Sequence, residues 1–189
     1  MKISLRYFFV LLLATAVLTS CEKCGEVTLN QPTAADAEWL VYRQNDSIMF
    51  ETNTGEPVVY TRSGIFAQEF PGEGFTATDE CIGSFNVQIR TLMEDVAGVE
   101  PALSTRILRQ PDNLQVELSV ADHGIWEINN EAPPTFESHE INGRAYNNVY
   151  EVITNSTDDG GVRRILYNKE FGFLSIEFND GRVLQQRPS

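Results

Sequence analysis

The sequence predicts an all-β domain: a single strongly curved antiparallel sheet, closed into a partial barrel or split into a two-sheet sandwich, with at most one or two short helices. Three observations carry this expectation. Apolar and polar residues alternate strictly over 85–90 and 114–120, which sets one face of each segment on a core and the other in water. Turn-forming stretches such as Asn142-Gly143, Asp158-Asp159-Gly160-Gly161 and Asp180-Gly181 recur between such runs. Helical periodicity nowhere persists beyond about two turns, which argues against helical and α/β architectures. A content of 42% hydrophobic and 10% aromatic residues in 189 is enough for a core and too much for a disordered chain.

Taken in order, the chain begins with a segment that is not part of the fold. Lys2 and Arg6 form a positive start, an apolar run follows over 7–18, and small residues then lead to Cys21. This is the three-part pattern of a secretory leader, with an apolar run too short for a comfortable membrane span of about 20 residues. Residues 1–20 are therefore expected to be a signal peptide. Leu18-Thr19-Ser20-Cys21 also resembles the lipobox of bacterial lipoproteins, in which the cysteine thiol takes a diacylglycerol and becomes the first mature residue. The resemblance implies lipid attachment at Cys21. Several acyl chains, at about 0.8 kcal/mol per buried CH₂, would make that anchoring permanent. An ordinary leader with a cysteine at its cleavage point is the alternative.

Residues 21–37 read as a tether, with a half-turn of helix over 33–38 capped by Thr33, and residues 38–189 read as one β-rich domain. Short strands are expected over 39–42, 47–52 and 57–61, joined by tight turns. Gly64, Pro71, Gly72, Gly74 and Gly83, with Glu69, Glu73, Asp79 and Glu80 among them, suggest a long acidic loop over 64–83. A strand at 85–90, a short helix at 91–99, and strands at 103–110, 114–120 and 124–128 follow. A break at Pro133-Pro134 precedes a hairpin about Asn142-Gly143, whose dipeptide favours a type I′ turn. The last third, with strands over 148–154, 162–167, 171–178 and 182–185, reads as a meander. The runs amount to about nine to eleven strands.

Cys24 and Cys81 form an even pair once Cys21 is acylated, and in an oxidising compartment a disulfide between them is expected. Two free thiols are the alternative, since spacing cannot show that they meet. The bond would leave a leash of about 10 Å between Cys21 and Cys24. The loop before Cys81 would then lie near the lipid, with the turns at 158–161 and 180–181 facing the compartment and a partner.

Charge excludes some partners. With 27 acidic and 14 basic residues the formal charge is −13, and because Lys2 and Arg6 lie in the leader the remainder is more acidic still. Such a surface repels nucleic acid. The two histidines, His123 and His139, lie in a turn and on a strand, and no serine occupies a Gly-x-Ser-x-Gly elbow, so no catalytic residue is assigned and the protein is read as not an enzyme. Adjacent acids such as Asp79-Glu80, Glu94-Asp95 and Asp158-Asp159 point apart on strands, which disfavours paired-carboxyl chemistry. Neither a metal nor a cofactor is expected, because Cys24 and Cys81 lack ligand companions and 158–161 lacks calcium-loop spacing.

Trp39-Leu40-Val41-Tyr42, Asp46-Ser47-Ile48-Met49-Phe50, Tyr146-Asn147-Asn148-Val149-Tyr150, Tyr167-Asn168-Lys169-Glu170-Phe171-Gly172 and Phe178-Asn179-Asp180-Gly181 resemble uncharacterised envelope lipoproteins of Bacteroidetes-type bacteria. The resemblance implies a lipid-anchored protein of the cell envelope, at the outer membrane and extracytoplasmic, and brings no activity with it. Asp46-Ser47-Ile48 is similar to the Asp-Ser/Thr-aliphatic acceptor of that group, which makes Ser47 a candidate for O-glycosylation, against a plain polar turn. Two functions follow as expectations. The first is a non-enzymatic binding or structural module for an envelope protein or glycan. The second is a carrier of a lipophilic ligand among Trp39, Phe50, Phe85, Trp126, Phe173 and Phe178, which would need a cavity of at least about 300 Å³.

Overall fold

Alternation and turn chemistry shape most of the chain, of which the computed structural model describes residues 24–188. The leader at 1–20 and Cys21 lie outside the described residues. Twelve strands form: β1 (Thr28–Asn30), β2 (Ser47–Thr52), β3 (Pro57–Pro71), β4 (Ser84–Asp95), β5 (Leu103–Arg109), β6 (Leu114–Val120), β7 (Gly124–Ile128), β8 (Phe136–Ile141), β9 (Arg144–Ile153), β10 (Val162–Asn168), β11 (Gly172–Phe178) and β12 (Val183–Gln186). They run side by side in the order β7-β6-β5-β4-β3-β2-β12-β11-β10-β9-β8, antiparallel throughout, and the sheet curls into a half-barrel that brings β7 near β9. The parallel exception is β1, whose Thr28–Asn30 continues the flank of β4 at Ser84–Asn86 where β5 has ended.

Three local expectations are corrected. Residues 39–42 are not a strand: a 3₁₀ helix, Asp36–Trp39, carries Trp39 into the barrel and irregular chain follows it. That helix starts on a reciprocal pair, the Thr33 N–H donating to Asp36 Oδ2 at 2.8 Å and the Asp36 N–H to Thr33 Oγ1 at 3.2 Å. The loop expected over 64–83 is half strand, because β3 runs on through Gly64 and Ala67 to Pro71 against Leu92 through Phe85 of β4. The helix expected over 91–99 is likewise strand to Asp95, where long-range pairing with β3 and β5 overrides a weak local preference.

Inside the curl, the Trp39 indole lies 4.9 Å from the Tyr150 ring and 6.3 Å from Tyr167, which meets Phe173 edge-on at 5.4 Å. Phe50, Tyr60, Met93, Ile107, Val116, Leu118, Ile165 and Ile176 belong to the same buried cluster. Each such side chain contributes about 1.5–3 kcal/mol on burial, so the 3₁₀ helix that delivers Trp39 helps stabilise the domain. The Tyr167 hydroxyl donates to the Trp39 carbonyl, which gives the buried phenol its partner.

A second, smaller core lies on the outer face of β10 and β11, where Leu166 and Leu174 pack with Ile141, Tyr146 and Val149. Asn148 makes it possible. Its φ of 54° interrupts β9 and resets the alternation, so Tyr146 packs outward with Val149 although it shares the parity of the inward Tyr150 and Val152. The β8–β9 hairpin thereby folds over the sheet as a flap. Its tip is the two-residue turn expected from sequence, with Ile141 opposite Arg144 and positive φ at Asn142 (50°) and Gly143 (75°). The C-terminal meander, β9 through β12, is present as read.

Candidate binding cleft

Cys24 and Cys81 are disulfide-bonded, with Cα atoms 5.3 Å apart. The bond and β1 hold 24–30 against the start of β4. Antiparallel alternation then orders the rim. The start of β4, the start of β2, the end of β12, the β10–β11 turn and the β8–β9 turn lie at one end of the strands, and the turns at 158–161 and 180–181 lie at the other.

A cleft of about 710 Å³ opens at the disulfide end. One wall is the 41–49 segment leading into β2, another the chain end at 186–188, and the third is Arg144 from the flap with Glu170 and Phe171 from the β10–β11 turn. Each wall is held by named bonds. Asp46 Oδ2 accepts the Arg43 N–H at 2.6 Å, while its carbonyl accepts the Arg62 N–H at 3.0 Å, which closes the turn before β2. The Asn142 side chain donates to the Gln186 carbonyl at 3.3 Å, and the Gln186 side chain donates to the Phe171 carbonyl at 3.1 Å, so flap, chain end and turn are tied in one line. Buried Asn168 accepts the Phe171 N–H at 2.7 Å and donates to the Asn147 carbonyl at 3.3 Å, which sets the β10–β11 turn against the flap. Below them Tyr42 is buried, and that burial pushes its phenol well above the ordinary range, so it stays neutral.

The cleft lining carries two arginines, Arg144 and Arg187, and two carboxylates, Asp46 and Glu170, in a molecule of formal charge −13. The Arg144 guanidinium stacks 4.2 Å from the Phe171 ring and 5.2 Å from Tyr146, and no carboxylate of the described residues pairs with it. Arg187, on the opposite wall, bonds Glu51 at 3.2 Å. Beside these cations stand Ile48, Val59 and Met49, the last 42% exposed. A planar cation held on two rings next to apolar surface suits a carboxylate or another planar anion attached to a partly apolar body.

Ser47, the proposed O-glycosylation residue, is exposed on this rim. The aromatic residues expected to surround a lipophilic ligand are placed differently. Trp39, Phe50, Phe173 and Phe178 are buried among one another, Trp126 packs against them, and none of the six lines this cleft. His123 lies edge-on to Phe178 at 5.4 Å and His139 lies 4.7 Å from Phe136, at separate places in the fold. Among the described residues no three His, Cys, Asp or Glu side chains gather as metal ligands.

No family model, curated protein or solved structure matches this chain.

The cleft residues Arg144, Phe171, Gln186 and Arg187 escaped sequence reasoning because they share no motif. The available signal was positional: two arginines beside a turn and a strand end, in a chain of formal charge −13.

Proposed function

We propose that this chain is a non-enzymatic lipoprotein of the cell envelope, anchored through acylated Cys21 at the outer membrane, whose domain binds an acidic group of an envelope protein or glycan in the Arg144 cleft. The carrying observation is Arg144 itself, a cation stacked on Phe171 with which no carboxylate of the described residues pairs, in a cleft of an otherwise acidic protein. The leader pattern and the lipobox resemblance support the anchor. The Cys24–Cys81 bond supports close seating at the lipid surface, since it leaves a leash of about 10 Å from Cys21. Contact in the cleft would be made on the disulfide side of the sheet rather than at the far turns. A lipophilic ligand inside the half-barrel would have to part side chains that touch one another, so the cleft is the better seat.

The test is site-specific photo-crosslinking in intact cells, with the probe at Met49 or Phe171. A discrete adduct that disappears with Arg144→Glu supports the reading. Adducts absent at both positions, or unchanged by Arg144→Glu, overturn it. Cys21→Ser should move the protein out of the membrane fraction.

A further inference from the structure

β3 is longer than the strand beside it. β2 pairs with it from Pro57 to Thr61, and the Arg62 N–H still reaches the Asp46 carbonyl, but from Ser63 to Pro71 only β4, among the described strands, lies alongside. The bulge between Arg62 and Gly64 shifts the register by one residue. Because the Gly72 N–H donates to the Ser84 carbonyl in that new register, the even residues Gly64, Phe66, Gln68 and Phe70 direct their backbone groups at β4. Ile65, Ala67 and Glu69 therefore turn their N–H and C=O groups to the open side, and no backbone group of the described residues pairs with them there. The side chains do not cover the gap. Ser63 and 65–69 are exposed, Ile65 at 54% and Phe66 at 55%, and the Phe66 ring lies back over Gly64, where a Cβ would come within 2.7 Å of it.

Such an edge is ordinarily blunted by charge, proline or a bulge; here the bulge at 62–64 and Glu69 bound it, and 65–68 between them holds neither charge nor proline. We propose that the open edge of β3 over Ser63 to Glu69 is a docking site for an extended segment of a partner protein, which adds to the sheet as a further strand. Main-chain donors and acceptors recurring every second residue are matched by another extended polypeptide and by no glycan or lipid. Side chains define its chemistry further. One face presents Ile65 and Ala67, and the other presents Phe66 with the Arg90 guanidinium 5.8 Å from its ring. Arg90 pairs with no carboxylate of the described residues and stands opposite Arg106 in the sheet. The fitting segment alternates aliphatic residues with polar ones and carries an acid facing Arg90.

A second copy of this chain is the poorer occupant. Antiparallel pairing about Ala67 would set Ile65 opposite Glu69, offer Arg90 no acid, and press together two bodies of formal charge −13. It would also point the two disulfide ends in opposite directions, an objection that rests on the lipid-anchor reading; the edge itself does not.

Backbone amide exchange on the purified full chain tests this, with the acetylated, amidated peptide Thr-Val-Glu-Val-Thr-Val-Thr as probe. The peptide should slow exchange at Ile65, Ala67 and Glu69 by about tenfold while leaving Phe66 and Gln68, already bonded to β4, unchanged. Ala67→Pro removes an outward donor that β4 does not use and should abolish the effect. If Ala67→Pro lowers the unfolding midpoint, Ile65→Lys, an edge charge, replaces it and should weaken docking likewise. Amides at Ile65, Ala67 and Glu69 that ignore the peptide overturn the proposal, as does a peptide-free chain that sediments as a dimer with those amides protected. Arg144→Glu should leave peptide docking intact, so failure of the cleft and failure of the edge are read separately.

Discussion

The Tyr42 hydroxyl accepts the Phe173 N–H at 2.7 Å and stands where the first carbon of any side chain on Gly172 would lie, 2.2 Å from that position. Gly172 also has φ of 77°, so two independent constraints demand glycine at the start of β11. Gly172→Ala should destabilise the domain by about 3 kcal/mol or more, since backbone strain and a buried clash add. Tyr42→Phe should cost about 1–3 kcal/mol by leaving the buried Phe173 N–H unpaired. Urea unfolding of both variants checks this, and a Gly172→Ala midpoint equal to wild type would refute it.

The Cys24–Cys81 bond closes a loop of sequence separation 57. In the chain-entropy model it stabilises by about 4 kcal/mol. Cys81→Ser should lower stability by about 2–4 kcal/mol and lengthen the leash, yet leave membrane attachment unchanged. Chemical denaturation and fractionation read the two effects separately, and unreduced, denatured mature protein should show no reactive thiol.

Asp95 ends β4 and organises the loop after it. Burial raises its pKa, but N–H groups of Glu100, Val99 and Ala97 donating to its carboxylate outweigh that and hold it below the ordinary value. A depressed folded-state pKa contributes stability that is present above the unfolded value of about 3.9 and fades as pH falls through the folded one. Asp95→Asn should therefore cost about 1–2 kcal/mol at neutral pH. The gap to wild type should close on acidification below about pH 4. Thermal unfolding across that window is the measurement, and a gap that widens in acid would contradict the assignment.

Asn148 carries the kink that turns the flap outward. Asn148→Gly should be nearly neutral, whereas Asn148→Val should cost about 1–2 kcal/mol, because a branched side chain resists positive φ. The loss should appear as faster amide exchange in β8 and the first half of β9, with the inner core protected.

Sequence alone determined the class of fold and most of its joints. Strict alternation in β4 and β6 and the Asn142-Gly143 turn are local signals, each legible because a strand's period and a turn's positive φ depend on a few neighbouring residues. Counting cysteines named the right pair, but their approach to within a bond was decided by the path of β1 along β4. Tertiary structure also decided that Gly64 and Pro71 belong to a strand and not a loop, since β4 supplies the hydrogen bonds that local propensity could not promise. It decided that Trp39 enters the core from a 3₁₀ helix. The cleft and the open edge were invisible for the same reason: Arg144, Phe171 and Gln186 are far apart along the chain, and one side of β3 beyond Arg62 is open among the described residues because β2 begins at Ser47. Each depends on where one strand stops beside another, which no single stretch of sequence records.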